Sequence, residues 1–325
     1  NKISALINLR KIDEAKILAD KCLSEDDSNP LILNNAGVIN NILNDFTTAK
    51  EQLSKALKLN PQYIDAYKNY IETLIGLNDI KGAIKGYQEL ILQYPTDNNL
   101  YTLPTNLFIK IKKEKEGIRF FDRLVEKIGD IAAIYNQIGI LYRLINNNSE
   151  AIKNYNKALN LEPNNAAFYS NLGAIYYEED NYVLAEQNYL KAVELNPNEA
   201  TIYHNLGNLK NAQKDFDSAN KYYSICLEKN NSFYDSFYSL IKNNGLPKND
   251  ARIDFYLDRL ENGYLDDQSV STLAFAFGNF YEQLQNYDES FKYYKMANDA
   301  YKNNEIFDYN KTKELFDNIK KLPDR

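Results

Sequence analysis

Few side chains of this chain have the type and spacing that chemistry needs. His204 is the only histidine. A lone imidazole without Cys, Asp or a second His at ligand spacing is not a metal site. It would act as a general base only if another domain supplied the nucleophile, and more commonly such a residue is a surface hydrogen-bonder. Cys22 and Cys226 are the two cysteines and neither has a CxxC partner, so neither a zinc site nor a disulfide framework is indicated. The acidic pairs Glu178-Glu179 and Asp266-Asp267 are adjacent, and adjacent helical residues point apart, which suits caps or solvated faces. Phosphate-binding, dinucleotide, HExxH and GxSxG patterns are all missing. No cofactor, no metal and no reaction are expected of this chain.

Charge and hydropathy narrow the partners. The formal charge is −7, from 38 basic and 45 acidic side chains. The basic stretch "KIKKEKEG" at 110–117 is short and lacks interleaved aromatics, so no nucleic-acid partner is expected. No apolar run approaches the roughly 18 residues of a membrane span, so no membrane insertion is expected. No secretory signal opens the chain at "NKISALINLRKIDEAK", and a cytoplasmic location is expected, although a start without Met gives this little weight.

The elements that carry these residues follow a clock. The segments "AIYNQIGILYRLINNNSEAIKNYNKALNLEPN", "AFYSNLGAIYYEEDNYVLAEQNYLKAVELNPN" and "TIYHNLGNLKNAQKDFDSANKYYSICLEKNNS" overlay at one spacing. Gly139, Gly173 and Gly207 recur with it, as do Ala151, Ala185 and Ala219, and Tyr155, Tyr189 and Tyr223. Gly37, Ala49 and Ala56 keep the same time earlier, followed by Ala83 and Tyr87, and Pro61, Pro95, Pro163 and Pro197 close units. Each unit reads as two short helices, because its apolar residues recur at helical spacing and its proline stops the second helix. Gly173 and Ala185 read as the close contact between paired helices, with Tyr189 filling the gap toward the next unit. Neither helix can bury its apolar face alone, so neighbours must supply the missing wall.

Units fall at about 30–63, 64–97, 98–131, 132–165, 166–199 and 200–233, after an irregular pair at about 1–27. The unit at 98–131 is degenerate, with Thr105 in the glycine slot, Gly117 in the alanine slot and Pro104 nearby, which predicts a bend or a shortened helix. The unit at 234–267 is also worn. Three extra residues then shift the phase before Gly278, Ser290, Tyr294 and Ala297 restore it. The expectation is one all-α repeat domain of about nine helical pairs over 1–303. Residues 304–325 are expected to form a capping helix, through Phe307, Leu315, Phe316 and Ile319 and ending at Pro323, or a linker to a missing domain.

These positions together resemble the tetratricopeptide repeat. The resemblance implies an α-α superhelix, a solenoid whose first helices line a concave groove. In that family the residue two before the glycine faces inward. Here it is Asn35, Gln137, Asn171 or Asn205, with Asn69 in the unit where Ile71 replaces glycine. The pattern is similar to the asparagine ladder of the repeats in O-linked N-acetylglucosamine transferases, where such amides grip an extended peptide. A carboxamide suits this, since it pairs with both peptide N–H and C=O. Asparagine is abundant throughout the chain, so compositional bias stands beside the ladder reading. The same register points Lys68, Glu72, Arg143, Tyr177, Glu178, His204 and Asn208 inward, where they could equally form a solvated polar face.

The segment "LAFAFGNFYEQLQNYDESFKYYKMANDAYKN" at 273–303 also resembles the last repeat before the catalytic domain of tetratricopeptide-repeat sulfotransferase fusions. Gly278, Tyr287-Asp288-Glu289, Phe291, Tyr294, Ala297 and Asn298 carry the likeness. The phosphosulfate loop of those fusions does not occur before Arg325. Three functions remain open: a module binding an extended peptide or partner protein, the noncatalytic substrate-recognition region of a sulfotransferase, and a structural assembly scaffold. Self-association through either end of the array is compatible with all three.

Overall fold

The structure is a computed structural model that describes residues 2–263 and 265–304. Eighteen α-helices fall into nine consecutive pairs among the described residues, with no strand. The pairs are α1 (Lys2–Asn8) with α2 (Ile12–Glu25), α3 (Pro30–Ile42) with α4 (Phe46–Leu59), and α5 (Ile64–Gly76) with α6 (Ile80–Gln93). They continue as α7 (Thr102–Lys110) with α8 (Glu114–Ile128), α9 (Ala132–Leu144) with α10 (Asn148–Leu161), and α11 (Ala166–Glu178) with α12 (Tyr182–Leu195). The last three are α13 (Ala200–Ala212) with α14 (Phe216–Lys229), α15 (Tyr234–Lys242) with α16 (Ala251–Asn262), and α17 (Asp267–Gln283) with α18 (Tyr287–Asn304).

The chain divides at Pro163 and Asn164 into two compact units, although the periodicity runs through this point unbroken. The expected capping helix, with Phe307, Leu315, Phe316, Ile319 and Pro323, lies outside the described residues.

The turn inside each pair is built from local chemistry. Asn44, Asn78, Lys112, Asn146, Asp180 and Lys214 all take a left-handed conformation with φ between 56° and 61°. Asparagine and aspartate tolerate that region better than other side chains, because they bond locally. The N–H after the left-handed residue then closes on a carbonyl of the first helix, as Asp45 does on Asn40 at 2.9 Å. That same residue caps the second helix. Asp45, Asp79, Asn181 and Asp215 accept the N–H of Thr48, Gly82, Leu184 and Ser218. Between pairs, Asn60, Glu162 and Asn196 leave the helical region directly before a proline, as a residue in that position must.

Packing inside a pair differs from the expected assignment. A Cβ on Gly173 would lie 2.7 Å from Cδ1 of Tyr189, and one on Gly207 would lie 2.4 Å from Cε1 of Tyr223. The glycine therefore receives the tyrosine ring of its own second helix, and the same Tyr189 ring also shares a core cluster with Ile202, Leu206 and Leu209 of the next unit. Gly139 with Tyr155 and Gly278 with Tyr294 repeat this pairing, and Gly37 receives Leu53 instead. The alanines take the other role. Ala185 and Ala192 are fully buried and share a core cluster with Ile202, Leu206 and Leu209 of α13. Ala49, Ala83, Ala151 and Ala219 are equally buried. A ring needs a flat backbone surface within its own pair, while the small residues let the following helix approach. Ala185→Leu is accordingly expected to cost about 1–3 kcal/mol by overpacking, read as a lower urea midpoint. An unchanged midpoint would show that this contact has slack.

The worn units have local compensations. Where Ile71 replaces glycine, the small residue moves to the partner helix as Gly86, whose Cβ would meet Cγ1 of Ile71 at 2.8 Å. In the unit at 98–131, α7 has nine residues against thirteen in α5 and is preceded by a tight 3-10 turn over Asn98–Tyr101. The phase shift after 267 appears as extra length in α17, which has 17 residues.

Candidate peptide-binding surface

First helices of successive pairs lie side by side: α3 touches α5, α11 touches α13, and α15 touches α17. The side chains singled out for an inner face therefore sit where one first helix meets the next. Their fates differ.

In the first unit, Asn35 is buried, and its carboxamide exchanges hydrogen bonds with the Ser4 hydroxyl of α1 at 3.2 and 3.4 Å. Asn69 donates from Nδ2 to Oδ1 of Asn34 at 2.8 Å. Asn41 donates to the Asn69 carbonyl at 3.3 Å and accepts from Thr73 Oγ1 at 2.9 Å, which completes a polar tie between α3 and α5. Gln137 is buried and Arg143 is half-buried.

In the second unit, Asn171, Tyr177 and Asn205 are half-buried. The Tyr177 ring lies 6.0 Å from that of Tyr182. No hydrogen bond holds the Asn205 side chain among the described residues.

His204 and Asn208 belong to a closed polar relay. Tyr223 donates its hydroxyl to Asn208 Oδ1 at 2.8 Å, Asn208 Nδ2 donates to His204 Nε2 at 3.0 Å, and His204 Nδ1 lies 2.8 Å from Ser236 Oγ. An Nε2 that accepts from an amide carries no proton, so the imidazole is the neutral Nδ1–H tautomer donating to Ser236. Aromatic rings enclose the imidazole, Phe233 at 4.8 Å and Tyr223 at 5.8 Å between centroids. This relay ties α13 to α14 and α15, and it leaves neither His204 nor Asn208 a polar atom to spare on the imidazole–amide bond. Burial pushes the Cys226 thiol up to about 11, which makes it a structural side chain and a poor nucleophile.

Ser236 was not legible as a functional position. Its slot holds Ile202 and Phe168 in the two preceding units, so a hydroxyl in an apolar register was the available signal.

Burial holds the His204 imidazole below the usual histidine value of 6.5, with a smaller opposing effect from Asp235. The unfolded chain therefore takes up the proton first as pH falls. The stability tied to the neutral ring is complete above that value and is lost as pH drops through the depressed folded value. The wild type is expected to lose more melting temperature between about pH 7.5 and about pH 5 than His204→Gln does. Equal losses would remove His204 from the pH response.

Together these features define an all-α repeat protein in which glycine–ring contacts join the two helices of a pair and first helices lie side by side within each unit. Tetratricopeptide repeat models match residues 43–107 and 164–229, and a TPR repeat model matches residues 139–180. The fold is that of the tetratricopeptide repeat family. A tetratricopeptide repeat protein from Parabacteroides merdae is similar in structure at 17% identity and a TM-score of 0.50, over 74% of this chain and 96% of that one. The crystal structure of MamA is similar over 61% of this chain and 95% of that one, at 18% identity and a TM-score of 0.37. The APC/C hetero-tetramer Cut9-Hcn1 contains a chain similar over 74% of this one, at 14% identity and a TM-score of 0.47. The present chain spans about half of that chain, 48%. No curated protein matches the chain in sequence.

Among the described residues no helix is long and apolar enough to cross a membrane. Nor do three His, Cys, Asp or Glu side chains gather there as a metal would require.

Proposed function

We propose that this chain is a noncatalytic module that binds an extended peptide or a partner protein along first helices that lie side by side within a unit. The observation that supports this reading most directly is in the second unit. Asn171 and Asn205 hold the same register on neighbouring first helices, each half-buried, and the half-buried Tyr177 lies further along the helix of Asn171. A half-buried carboxamide can pair with a ligand backbone, and an aromatic farther along the helix supplies apolar contact. In the first unit Arg143 is the corresponding candidate. Asn35, Asn69, His204 and Asn208 are tied to neighbouring side chains and Gln137 is buried, so these support the surface.

The test is the paired variant Asn171→Ala, Asn205→Ala. Affinity for a peptide captured by the wild type is expected to fall by about 1–3 kcal/mol in total, with a native circular dichroism spectrum. Unchanged affinity in a folded variant would reject the carboxamides as contacts.

The terminal pair favours a second reading, as the substrate-recognition region of a sulfotransferase. Its helices are the longest of the described residues, at 17 and 18 residues, and carry the segment that resembles the last repeat of those fusions. Sulfate transfer by the intact parent protein from a phosphosulfate donor would support it, and an inactive intact parent would count against it. A scaffold role without a groove ligand is favoured if the paired variant leaves every captured partner bound.

A further inference from the structure

In the first unit a recess of about 430 Å³ lies between α5 and α7, with Phe46 of α4 and Tyr87 of α6 also lining it. That is within the range of about 300–1,000 Å³ common to sites for small groups. Its origin is local. Leu103 stands in the register occupied by Asn69 and Gln137 in the neighbouring units, so the row of amides gives way here to an apolar side chain. At the far wall α5 ends in Gly76, where a Cβ would lie 2.4 Å from Cε1 of Phe46. The missing side chain lets the Phe46 ring lie against the backbone and close that side.

Phe46, Ile75, Leu103 and Leu107 form the apolar lining. Four polar groups reach the same space: the Glu72 carboxylate, the Tyr87 hydroxyl, the Asn106 carboxamide and the Lys110 ammonium. None of the four has a hydrogen bond or ion pair to another side chain among the described residues. Surface carboxylates elsewhere in this chain are commonly paired or capping, as Glu89 is with Lys85 and Glu150 with Lys153. Glu72 is thus a carboxylate set beside an apolar floor with no cation of its own.

We propose that this recess takes the side chain of a lysine or arginine from the bound partner, with the stem along Phe46, Ile75 and Leu103 and the cationic head on Glu72. The inference rests on the reading of the first-helix face as the binding surface. Long basic side chains are suited to such a place, because their aliphatic stems bury against apolar walls while the head keeps a polar partner. Glu72 is exposed to an incoming head and carries no cation, so an ammonium or guanidinium placed there forms a charge-assisted pair. Burial holds the Glu72 carboxyl above its usual range. Glu72 also helps push the Tyr87 phenol up to about 12, behind the larger effect of burial, so this hydroxyl stays neutral. Asn106 and Lys110, both exposed at the α7 side, are placed for the carbonyls that flank the inserted side chain.

The experiment uses the full chain, immobilised, and pools of short capped peptides randomised at every position but one. That position is Arg, Lys, Leu or Glu, and retained peptide is read by mass spectrometry. The Arg and Lys pools are expected to be retained at least about tenfold over the Leu and Glu pools. Glu72→Gln is expected to abolish that preference, and Glu72→Lys to transfer it to the Glu pool, each with a native circular dichroism spectrum. Retention without a basic preference, or a basic preference that survives Glu72→Gln, overturns the recess while leaving the first-helix surface standing. A preference for the Glu pool that Lys110→Ala removes overturns it in favour of an acidic partner. Retention of no pool overturns both the recess and the surface on which it lies.

Discussion

Tyr223→Ala is expected to destabilise the protein by about 3–5 kcal/mol, as large-to-small changes at fully buried aromatic positions do. Tyr223 is completely buried, and its ring lies against the backbone of Gly207. Its hydroxyl starts the relay through Asn208 and His204 to Ser236. The substitution removes the ring volume and also leaves Asn208 Oδ1 without its donor, so two costs fall together. Tyr223→Phe separates them, since it keeps the ring and loses only the hydroxyl; about 1–3 kcal/mol is expected for it. Gly207→Ala provides the converse. In the wild-type background the new methyl meets the ring and costs about 1–3 kcal/mol, whereas in Tyr223→Ala it enters vacated space. The double variant should therefore be more stable than the sum of the single changes implies. Urea unfolding measures all four proteins, and simple additivity would show that ring and glycine do not share one contact. Amide exchange should rise first in α13, α14 and α15, because the relay joins those helices.

Phe277→Ala should rank beside it, at about 3–5 kcal/mol. Phe277 is fully buried in α17 and meets three rings, with centroids 5.6 Å away at Tyr293, 5.8 Å at Phe237 and 6.5 Å at Phe280. It thereby joins α15 to the terminal pair, and Tyr293 is further held by its hydroxyl on Glu261 of α16 at 3.0 Å. Each ring contact adds to what area burial alone supplies. Phe291→Ala is the matched control. Phe291 lies on α18 with 71% of its surface exposed, so its removal should change stability by less than about 0.5 kcal/mol. A small effect of Phe277→Ala, or equal effects of the two, would contradict the assignment of the core at this end.

Much of the fold was legible because its signals are local and repeated. Gly139, Gly173 and Gly207 with Tyr155, Tyr189 and Tyr223 marked two helices per unit. Pro104 and Thr105 pointed to a shortened helix, and α7 has nine residues, as does α15 of the other worn unit. The turns held a further signal, the left-handed residue that recurs through six successive units, five times before a capping Asp or Asn and once, at Lys112, before Lys113. Which small residue meets which large one was not legible. Glycine and alanine both appeared as close contacts, and only the placement of helices showed that glycine receives the ring of its own pair.

The polar positions on first helices divide along the same line. Register alone placed Asn35, Asn69, Asn171, Asn205, His204 and Asn208 on first helices, because a helix fixes the direction of each side chain along its own axis. Whether a polar group there is available depends on what the neighbouring first helix brings opposite it. Ser4 meets Asn35, Asn34 meets Asn69, and Ser236 meets His204, all from about 31–35 residues away in the chain. The repeat, its turns, its caps and its small-residue positions were thus set by the sequence, since each depends on residues within one unit. The partners of each polar side chain and the recess beside Glu72 were decided by tertiary structure, since they depend on side chains from two units meeting in space.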